Sequence, residues 1–339
     1  MTGCKQRDHL FFERRGEKVN YRLLGSTGIK VSEVGFGAWQ LGNARDWDGM
    51  EDNHAIRLVH EALDQGCNFF DTAPNYGGGN SETLLGKALT GRRSEAVINS
   101  KFGHHPDNTL DFNSEKIRSS VENSLRRLKT DYLDSILLHN PPFEILTGST
   151  DHFEVLESLK QEGKIRAYGA SVDSAREMNE LLRNTGSQVI EVMFNIFHQE
   201  PRRAFKLAAE KNVGLIVKVP LDSGWLSGKY DENSVFTDIR SRWDRKQLIK
   251  RAELLPVLKE MLEPGESLVQ LALRYILYFQ EVSTVIPGNK NLEQLIENLS
   301  ASNQRISAEK VKKIEELWEE KLQADPLVVE KTKQSFWRF

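Results

Sequence analysis

The residues best suited to chemistry begin with Asp71 and Tyr76, in the stretch NFFDTAPNYG at residues 68–77. Two phenylalanines lead into the carboxylate, and a loop with proline and glycine follows it. This pattern predicts a buried strand that ends at Asp71 and a loop that holds Tyr76 beside it. A carboxylate in such a position is poorly solvated and requires a cation, and a phenol beside that cation would lose its proton more easily.

Polar side chains also lie where the next strands are predicted to end. Lys101 closes a third strand, His139 follows a fourth and Ser171 follows a fifth. A single lysine or histidine at a strand end is commonly structural, but several at successive ends favour a functional site. Because the carboxyl ends of parallel barrel strands meet on one face, Lys101 and His139 should surround one pocket with Asp71. Tyr76 should reach into that pocket from its loop.

These groups could carry out proton transfer to a carbonyl oxygen. A phenol has an unperturbed pKa of about 10, so it is a weak acid–base catalyst at neutral pH. The ammonium of Lys101 favours the phenolate of Tyr76, and Asp71 keeps that ammonium charged and oriented. His139 can hydrogen-bond the oxygen of a bound carbonyl. A hydride must then reach the carbonyl carbon, and no side chain donates hydride, so a cofactor is required.

Two loops in the C-terminal half offer a place for phosphate groups. The first, PLDSGWLSGKY at residues 220–230, is rich in glycine and serine, and the second, IPGNKN at residues 286–291, opens a helix. They follow the predicted strands seven and eight, where barrels commonly bind phosphate at a helix N-terminus.

The elements that position these residues alternate regularly along the chain. After a predicted hairpin that turns at residues 26–28, eight short apolar runs alternate with amphipathic helices. This rhythm indicates βαβ units and a parallel sheet. Eight units, without a Gly-x-Gly-x-x-Gly fingerprint after the first strand, favour a (β/α)8 TIM barrel over an open sheet. The segment at residues 222–262 is more polar and is predicted as a loop with irregular helix.

Composition limits the alternatives. The 339 residues are 39% hydrophobic and 28% charged with a net charge of −3, which predicts a globular protein rather than one that binds nucleic acid or anionic membranes. Cys4 and Cys67 are too few for a disulfide framework, and no histidine spacing suggests a metal site. No signal peptide or long apolar span is visible, so a cytoplasmic location is expected. The predicted organisation is a polar leader (1–20), one barrel domain (21–323) with C-terminal extra helices, and a tail (324–339).

At these residues the chain resembles the aldo-keto reductase superfamily. The resemblance runs from about residue 21 to about residue 322 and rests on GFG at 35–37, DTA at 71–73, GAS at 169–171, the two loops above, Tyr76, Lys101 and His139. It implies a (β/α)8 barrel that binds NADPH, with NADH possible, and reversibly reduces a small-molecule aldehyde or ketone.

The resemblance also implies a role for each matching residue. Tyr76 would be the general acid, Lys101 and Asp71 would tune it, and His139 would orient the carbonyl. Ser171 would hold the nicotinamide amide, Lys290 the 2′-phosphate, and Gln294 and Asn298 the adenine. Trp39 would line the substrate pocket. The remaining residues implied to contact the cofactor are Gly37, Glu191, Lys218, Pro220, Leu221, Ser223, Gly224, Leu226, Lys229 and Gly288.

Three positions depart from the family pattern. Val172 replaces an asparagine after the serine, Glu191 falls where glutamine is common, and Lys218 falls where an aromatic residue stacks on nicotinamide. These changes leave the residues for proton transfer intact and alter the residues expected to bind nicotinamide. Lys218 could form a salt bridge with Glu191 across adjacent strand ends, or it could contact a phosphate of cofactor or substrate.

Two other functions are compatible with the same residues. Lys101 could be a Schiff-base nucleophile of a lyase or aldolase, although a nucleophilic lysine should be neutral and this one is expected to pair with Asp71. The barrel could instead sense bound nucleotide and regulate a partner, with the aromatic tail residues Phe336, Trp337 and Phe339 as a docking segment. Trp39, Trp225 and Trp243 suggest an apolar substrate pocket. His104 and His105 could rim the site, but a solvent-facing loop is the preferred interpretation.

Overall fold

The computed structural model describes residues 19–327 and opens with a short hairpin. β1 (Tyr21–Leu23) pairs antiparallel with β2 (Lys30–Ser32). The turn ends at Gly28, whose φ of 71° lies in the left-handed region that glycine adopts without strain. The predicted hairpin is confirmed.

Eight parallel strands follow and form one curled sheet in sequential order. They are β3 (Phe36–Gly37), β4 (Phe69–Asp71), β5 (Val97–Phe102), β6 (Leu133–His139), β7 (Ile165–Val172), β8 (Val189–Met193), β9 (Gly214–Lys218) and β10 (Val282–Val285). Parallel bridges from Val34 to Val285 and from Gly37 to Gly288 join the two edges. A side chain at Gly37 would meet the carbonyl oxygen of Ile286 at 2.7 Å, so glycine is required for this close approach. The predicted (β/α)8 barrel is confirmed.

Helices connect the strands and surround the barrel. They are α1 (Asp52–Asp64), α2 (Asn80–Ala88), α3 (Ile117–Leu128), α4 (Phe143–Leu146), α5 (His152–Gln161), α6 (Ala175–Asn184), α7 (Phe205–Glu210), α8 (Arg245–Lys259), α9 (Leu268–Tyr278), α10 (Leu292–Ser300) and α11 (Ala308–Lys321). No described helix is both long enough and apolar enough to cross a bilayer.

Helix α8 corrects the expectation of irregular structure over residues 222–262. It has 15 residues and begins with a capping box, in which Asp244 and Gln247 satisfy each other's backbone N–H groups. Its buried face includes Arg251, which is fully buried and paired with Asp222 at 2.6 Å. An arginine in the buried stripe, together with Pro256 inside the helix, hides the apolar period in the sequence.

The barrel interior is filled in two layers. The lower layer is apolar and contains Leu24, Ile29 and Val31 from the hairpin region, together with inward-pointing strand residues such as Phe69, Leu137 and Ile216. Because strand side chains alternate between faces, the residue two positions later on each strand also points inward. Polar inward-pointing residues therefore follow at the carboxyl ends of the strands, two positions after the apolar layer for Asp71, His139, Glu191 and Lys218, and four positions after it for Lys101 and Ser171.

Several predictions fall outside the described residues. Most of the predicted leader (1–20), Cys4, most of the tail (324–339), and the aromatic residues Phe336, Trp337 and Phe339 lie there. The domain bounds at 21–323 stay a prediction.

Candidate active site

A cavity of about 350 Å³ opens at the carboxyl ends of the strands, as the sequence predicts. Its wall carries these predicted site residues: Gly37, Trp39, Asp71, Tyr76, His139, Glu191, Lys218, Pro220, Leu221, Ser223, Gly224, Lys229, Gly288, Lys290, Gln294 and Asn298. Lys101 and Ser171 are fully buried directly behind this wall. Leu226 is also fully buried, but it packs in the hydrophobic core, so its side chain does not have the predicted place in the site.

Tyr76 presents its hydroxyl to the cavity next to a buried ion pair. Lys101 Nζ lies 2.7 Å from both carboxylate oxygens of Asp71 and 3.5 Å from the Tyr76 hydroxyl. Asn99 also donates to Asp71, at 2.7 Å. A buried ammonium with these acceptors is fixed in direction, so the predicted triad of carboxylate, ammonium and phenol is assembled in one place.

The effect of this environment on Tyr76 differs from the expectation. The positive charge of Lys101 lowers the pKa of Tyr76, but burial is the larger cause and raises it, and the charge of Asp71 raises it further. The pKa of Tyr76 therefore lies above its ordinary value in this structure. The prediction of a depressed phenol pKa is wrong here because burial disfavours the phenolate more than one ammonium stabilises it. Tyr76 is held as a protonated phenol, the form that a proton donor needs.

His139 stands beside Tyr76 as a neutral imidazole. The two rings meet edge to face with centroids 6.0 Å apart. Burial and the nearby charges of His104, Lys101 and Lys218 hold the pKa of His139 well below its usual value. Its Nδ1 is buried and has no hydrogen-bond partner among the described residues.

His104 is a site residue that sequence reasoning placed wrongly. It is buried, not solvent-facing, and stacks on His139 with ring centroids 4.3 Å apart. Burial, followed by the charge of Lys218, lowers the pKa of His104 to about 4. It follows Lys101 by three residues, and the intervening Phe102 and Gly103 carry it around the strand end to a position that the strand period does not predict.

Lys218 and Glu191 make salt bridges with different partners from the expected one. Lys218 Nζ lies 3.0 Å from Asp173, and Glu191 Oε2 lies 3.3 Å from Lys101 Nζ. The Ser171 hydroxyl links the two residues, because it donates to Glu191 Oε1 at 2.9 Å and accepts from Lys218 at 2.7 Å. Asp173, which the sequence analysis did not select, lies two residues beyond Ser171.

Asn140 is a second residue that sequence reasoning missed. Its Oδ1 accepts a hydrogen bond from Lys218 at 2.8 Å, and its backbone has a φ of 50°. The buried Nδ2 has no hydrogen-bond partner among the described residues. Asn140 directly follows β6 and thus places an amide next to Ser171 on the neighbouring strand β7, where Val172 replaces the expected asparagine.

One side of the cavity, next to Tyr76, is aromatic. Trp39 stacks on Tyr76 with centroids 5.9 Å apart and donates from Nε1 to Asp46 at 2.9 Å. Trp47 packs edge-on against Trp39 and also lines the cavity. Trp225 and Trp243 are instead buried in the hydrophobic core, so the apolar wall is built by Trp39 and Trp47.

The outer end of the cavity is suited to anionic groups. Ser223 and Gly224 have φ values of 53° and 93°, a turn that opens the loop after β9, and Lys229 and Lys290 lie on the same wall. Gln294 accepts from the backbone N–H of Lys290 at 2.9 Å, and Asn298 donates to Asn289 at 2.8 Å. Arg240 also lines this end and was not among the predicted residues. These donors fit a phosphate-bearing nucleotide.

The fold and the cavity define a (β/α)8 barrel with a carboxylate and a lysine on neighbouring strands, and a tyrosine that reaches them from the loop after β4. A model described as the Aldo/keto reductase family matches residues 33–319, so the chain belongs to that family. The family defines it as an oxidoreductase.

Several characterised or solved relatives share most of the chain. L-galactose dehydrogenase of Arabidopsis thaliana is 32% identical, covering 84% of this chain and 88% of its own. The NADH-specific methylglyoxal reductase of Escherichia coli is 32% identical, with coverages of 84% and 94%. A probable voltage-gated potassium channel subunit beta of rice (Oryza sativa) is 30% identical, with coverages of 84% and 91%. The holo form of aldo-keto reductase AKR11C1 from Bacillus halodurans is 30% identical with a TM-score of 0.75, covering 88% of this chain and 96% of its own.

Proposed function

We propose that this protein reduces an aldehyde or ketone to an alcohol with NADPH, reversibly, and that Tyr76 is the general acid. The observation that carries the proposal is the contact of 3.5 Å between the Tyr76 hydroxyl and the ammonium of Lys101, which Asp71 holds from behind. The phenol faces the cavity in its protonated form, beside a neutral imidazole. A bound dihydronicotinamide supplies the hydride in this chemistry.

The side chains around Tyr76 divide the proton chemistry between them. The substrate oxygen would be held between the Tyr76 hydroxyl and the imidazole of His139, which cannot compete as an acid because it is neutral. As the oxygen gains negative charge, the Tyr76 proton moves to it, and the Lys101 ammonium stabilises the phenolate left behind. Trp39 and Trp47 exclude water from the oxygen.

The cofactor would lie along the cavity from Lys218 to Lys290. Ser223, Gly224 and Lys229 would hold the phosphates, Lys290 the 2′-phosphate, and Gln294 with Asn298 the adenine. Gly37, Pro220, Leu221 and Gly288 would provide the walls between them. The polar end of the cavity next to Tyr76 is formed by Glu191, Ser171 and Lys218. The carboxamide of the nicotinamide would contact the ammonium of Lys218 there.

The preference for NADPH rests on Lys290 alone. Its ammonium is on the cavity wall, but it also pairs with Asp48 at 2.9 Å. Members of the family differ in the cofactor they prefer, since one relative is named as NADH-specific. In this chain the preference would depend on whether Lys290 binds the 2′-phosphate or stays paired with Asp48.

The lyase alternative does not fit the charge of Lys101. Burial alone would lower the pKa of Lys101, but Asp71 and Glu191 outweigh burial and hold that pKa above its usual value. A Schiff-base nucleophile must be neutral, so this lysine is in the wrong state. Borohydride treatment with a carbonyl substrate should give no adduct on Lys101.

The regulatory alternative is favoured by one observation. Relatives of similar identity are named as potassium channel beta subunits. A nucleotide sensor of that kind would bind cofactor with negligible turnover.

One experiment separates the proposed function from both alternatives. NADPH and NADH are titrated into the protein and followed by fluorescence, and a panel of small aldehydes and ketones is then added to the same sample. Binding followed by oxidation of the cofactor is the expected result. Binding without oxidation over the whole panel would favour the sensor, and no binding of either cofactor would overturn the proposal.

A further inference from the structure

Five ionisable side chains are buried together under the inner end of the cavity, and their charges do not balance. Asp71, Glu191 and Asp173 are carboxylates, whereas Lys101 and Lys218 are ammonium groups, and each is at most 7% exposed. If all five were ionised, the cluster would carry one excess negative charge away from water. An uncompensated buried charge is costly, and a group in that position takes up a proton instead.

The excess proton belongs with Asp71 and Glu191. Asp173 forms its ion pair with Lys218, whose ammonium lies 3.0 Å away. Asp71 and Glu191 share the single ammonium of Lys101, at 2.7 Å and 3.3 Å. Like charges at one site cannot both ionise readily, and one proton shared between them removes the repulsion.

An unsatisfied oxygen marks the place of that proton. Glu191 Oε1 accepts from the Ser171 hydroxyl at 2.9 Å, whereas the buried Oε2 has only the ion-pair contact of 3.3 Å with Lys101 Nζ and forms no hydrogen bond among the described residues. A proton held between Glu191 and Asp71 would satisfy this oxygen. Burial, and then the charge of Glu191, raises the pKa of Asp71 to about 7, which agrees with a shared proton.

We propose that Glu191 and Asp71 share one proton at neutral pH, and that Glu191 thereby tunes the acidity of Tyr76 through Lys101. Glu191 is a positioning residue in this arrangement and does not act on the substrate oxygen. When the shared proton is lost, a second negative charge lies behind Lys101. Nearby negative charge makes Tyr76 a weaker acid, so reduction slows.

The groups that face the pair come from every neighbouring element. Lys101 on β5 and Lys218 on β9 are cationic and favour loss of the proton, as does the hydroxyl of Ser171 on β7. Tyr76 is protonated, and His139 on β6 is neutral. The pKa of Asp71 is raised to about 7, whereas Lys101 and Lys218 hold the pKa of Glu191 below its usual value, so the proton that the pair shares is lost near neutral pH through Asp71.

The first test detects the proton without cofactor or turnover. Infrared spectra of the apo protein near pH 6 are compared for the wild type and Glu191→Gln, because a protonated buried carboxyl has a carbonyl band that ionised carboxylates lack. The wild type should show this band, and the variant should lose it, since Asp71 then has Lys101 to itself. The matched control is Glu82→Gln, which replaces another fully buried glutamate that accepts from a serine and pairs with Arg127 outside the cavity. This control should keep the band.

A second variant, Ser171→Ala, tests the shared proton even if Glu191→Gln does not fold. Ser171→Ala removes the donor to Glu191 Oε1 and leaves both carboxyl groups in place. The band should then persist to higher pH than in the wild type, because an ionised Glu191 has lost a hydrogen bond. A wild type without the band, or a band that survives in folded Glu191→Gln, would overturn the shared proton.

The kinetic consequence rests on the proposed function and is tested separately. From about pH 6 to about pH 9, wild-type kcat for reduction should fall about tenfold, the equivalent of one pKa unit at Tyr76, whereas Glu191→Gln should stay level. Profiles of the same shape, offset by a constant factor, would mean that Glu191 is only structural. A protein that shows the infrared band but turns over no carbonyl would retain the shared proton and refute the proposed function.

Discussion

Lys290 and Asp48 close a salt bridge of 2.9 Å across the outer end of the cavity, and both side chains are partly exposed. Lys290 also lies over the ring of Trp47 at 5.7 Å. The loop that follows β3 is thereby tied to the loop that follows β10. A 2′-phosphate at Lys290 must compete with the carboxylate of Asp48.

Replacing Lys290 should therefore affect the two cofactors unequally. Lys290→Ala should weaken NADPH binding by about tenfold, the loss of one partly exposed charge-assisted contact, and leave NADH binding nearly unchanged. The measurement is a fluorescence titration of both cofactors. Asp48→Asn is the complementary variant, and it should strengthen NADPH binding because it releases the ammonium. An equal loss for both cofactors in Lys290→Ala would remove the 2′-phosphate from this position.

His104 should make the stability of the protein depend on pH. Its pKa is about 4 in the folded chain and about 6.5 in the unfolded chain, so the unfolded chain binds more protons between these values. The contribution of His104 to the free energy of unfolding should thus be fully present above about pH 6.5. Up to about 3 kcal/mol of it should be lost as the pH falls from there through about 4.

Urea unfolding at a series of pH values measures this loss. His104→Gln should remove the part of this dependence that His104 contributes between about pH 6.5 and about pH 4, whereas His139, whose pKa is also held low by burial, keeps its own part. His105→Gln, at the next position, is the control, because that side chain contacts Phe102 and the backbone carbonyl of Asp111, and not His139. A control with the same flattening would show that the effect does not come from the histidine stacked on His139.

The pair of Asp222 and Arg251 should be essential for the long segment after β9. The guanidinium is fully buried and 2.6 Å from the carboxylate, so Asp222→Asn leaves a buried charge without its counterion. We expect a loss of about 3 to 5 kcal/mol in the free energy of unfolding, measured by chemical denaturation.

An exposed pair provides the comparison. Glu162 meets Arg118 at the same 2.6 Å, but the side chains are 38% and 41% exposed. Glu162→Gln should leave the free energy of unfolding nearly unchanged, because solvent screens an exposed ion pair. Equal losses for the two variants would contradict the claim that burial gives the Asp222 pair its importance.

The sequence predicts the barrel and the polar residues at its strand ends well, for a physical reason. The inward residue two positions after Phe69 is Asp71, and the same spacing leads from Leu137 to His139 and from Ile216 to Lys218. In these strands the alternation of side chains with period two thus places a polar residue directly above an apolar one. The position of Tyr76 is also predictable, because only the short loop after β4 separates it from Asp71.

The partners of these residues could not be predicted in the same way. Lys218 pairs with Asp173 and not with Glu191, because the choice depends on how side chains turn at the ends of neighbouring strands. His104 reaches His139 only after the chain has left β5. Helix α8 was missed because Arg251 occupies its buried stripe. Each of these errors concerns a polar side chain that is buried. The periodicity of apolar residues gives no information about such side chains.

The role of Tyr76 as general acid is tested most directly by removing its hydroxyl. The ring of Tyr76 stacks on Trp39, and its hydroxyl contacts Lys101 at 3.5 Å. Tyr76→Phe keeps the ring and removes the proton donor. We measure NADPH affinity by fluorescence and single-turnover oxidation of bound NADPH with a reactive aldehyde. We expect nearly unchanged affinity and a loss of at least about a hundredfold in the rate of turnover. A variant that binds NADPH and reduces the aldehyde at close to the wild-type rate would contradict this role of Tyr76.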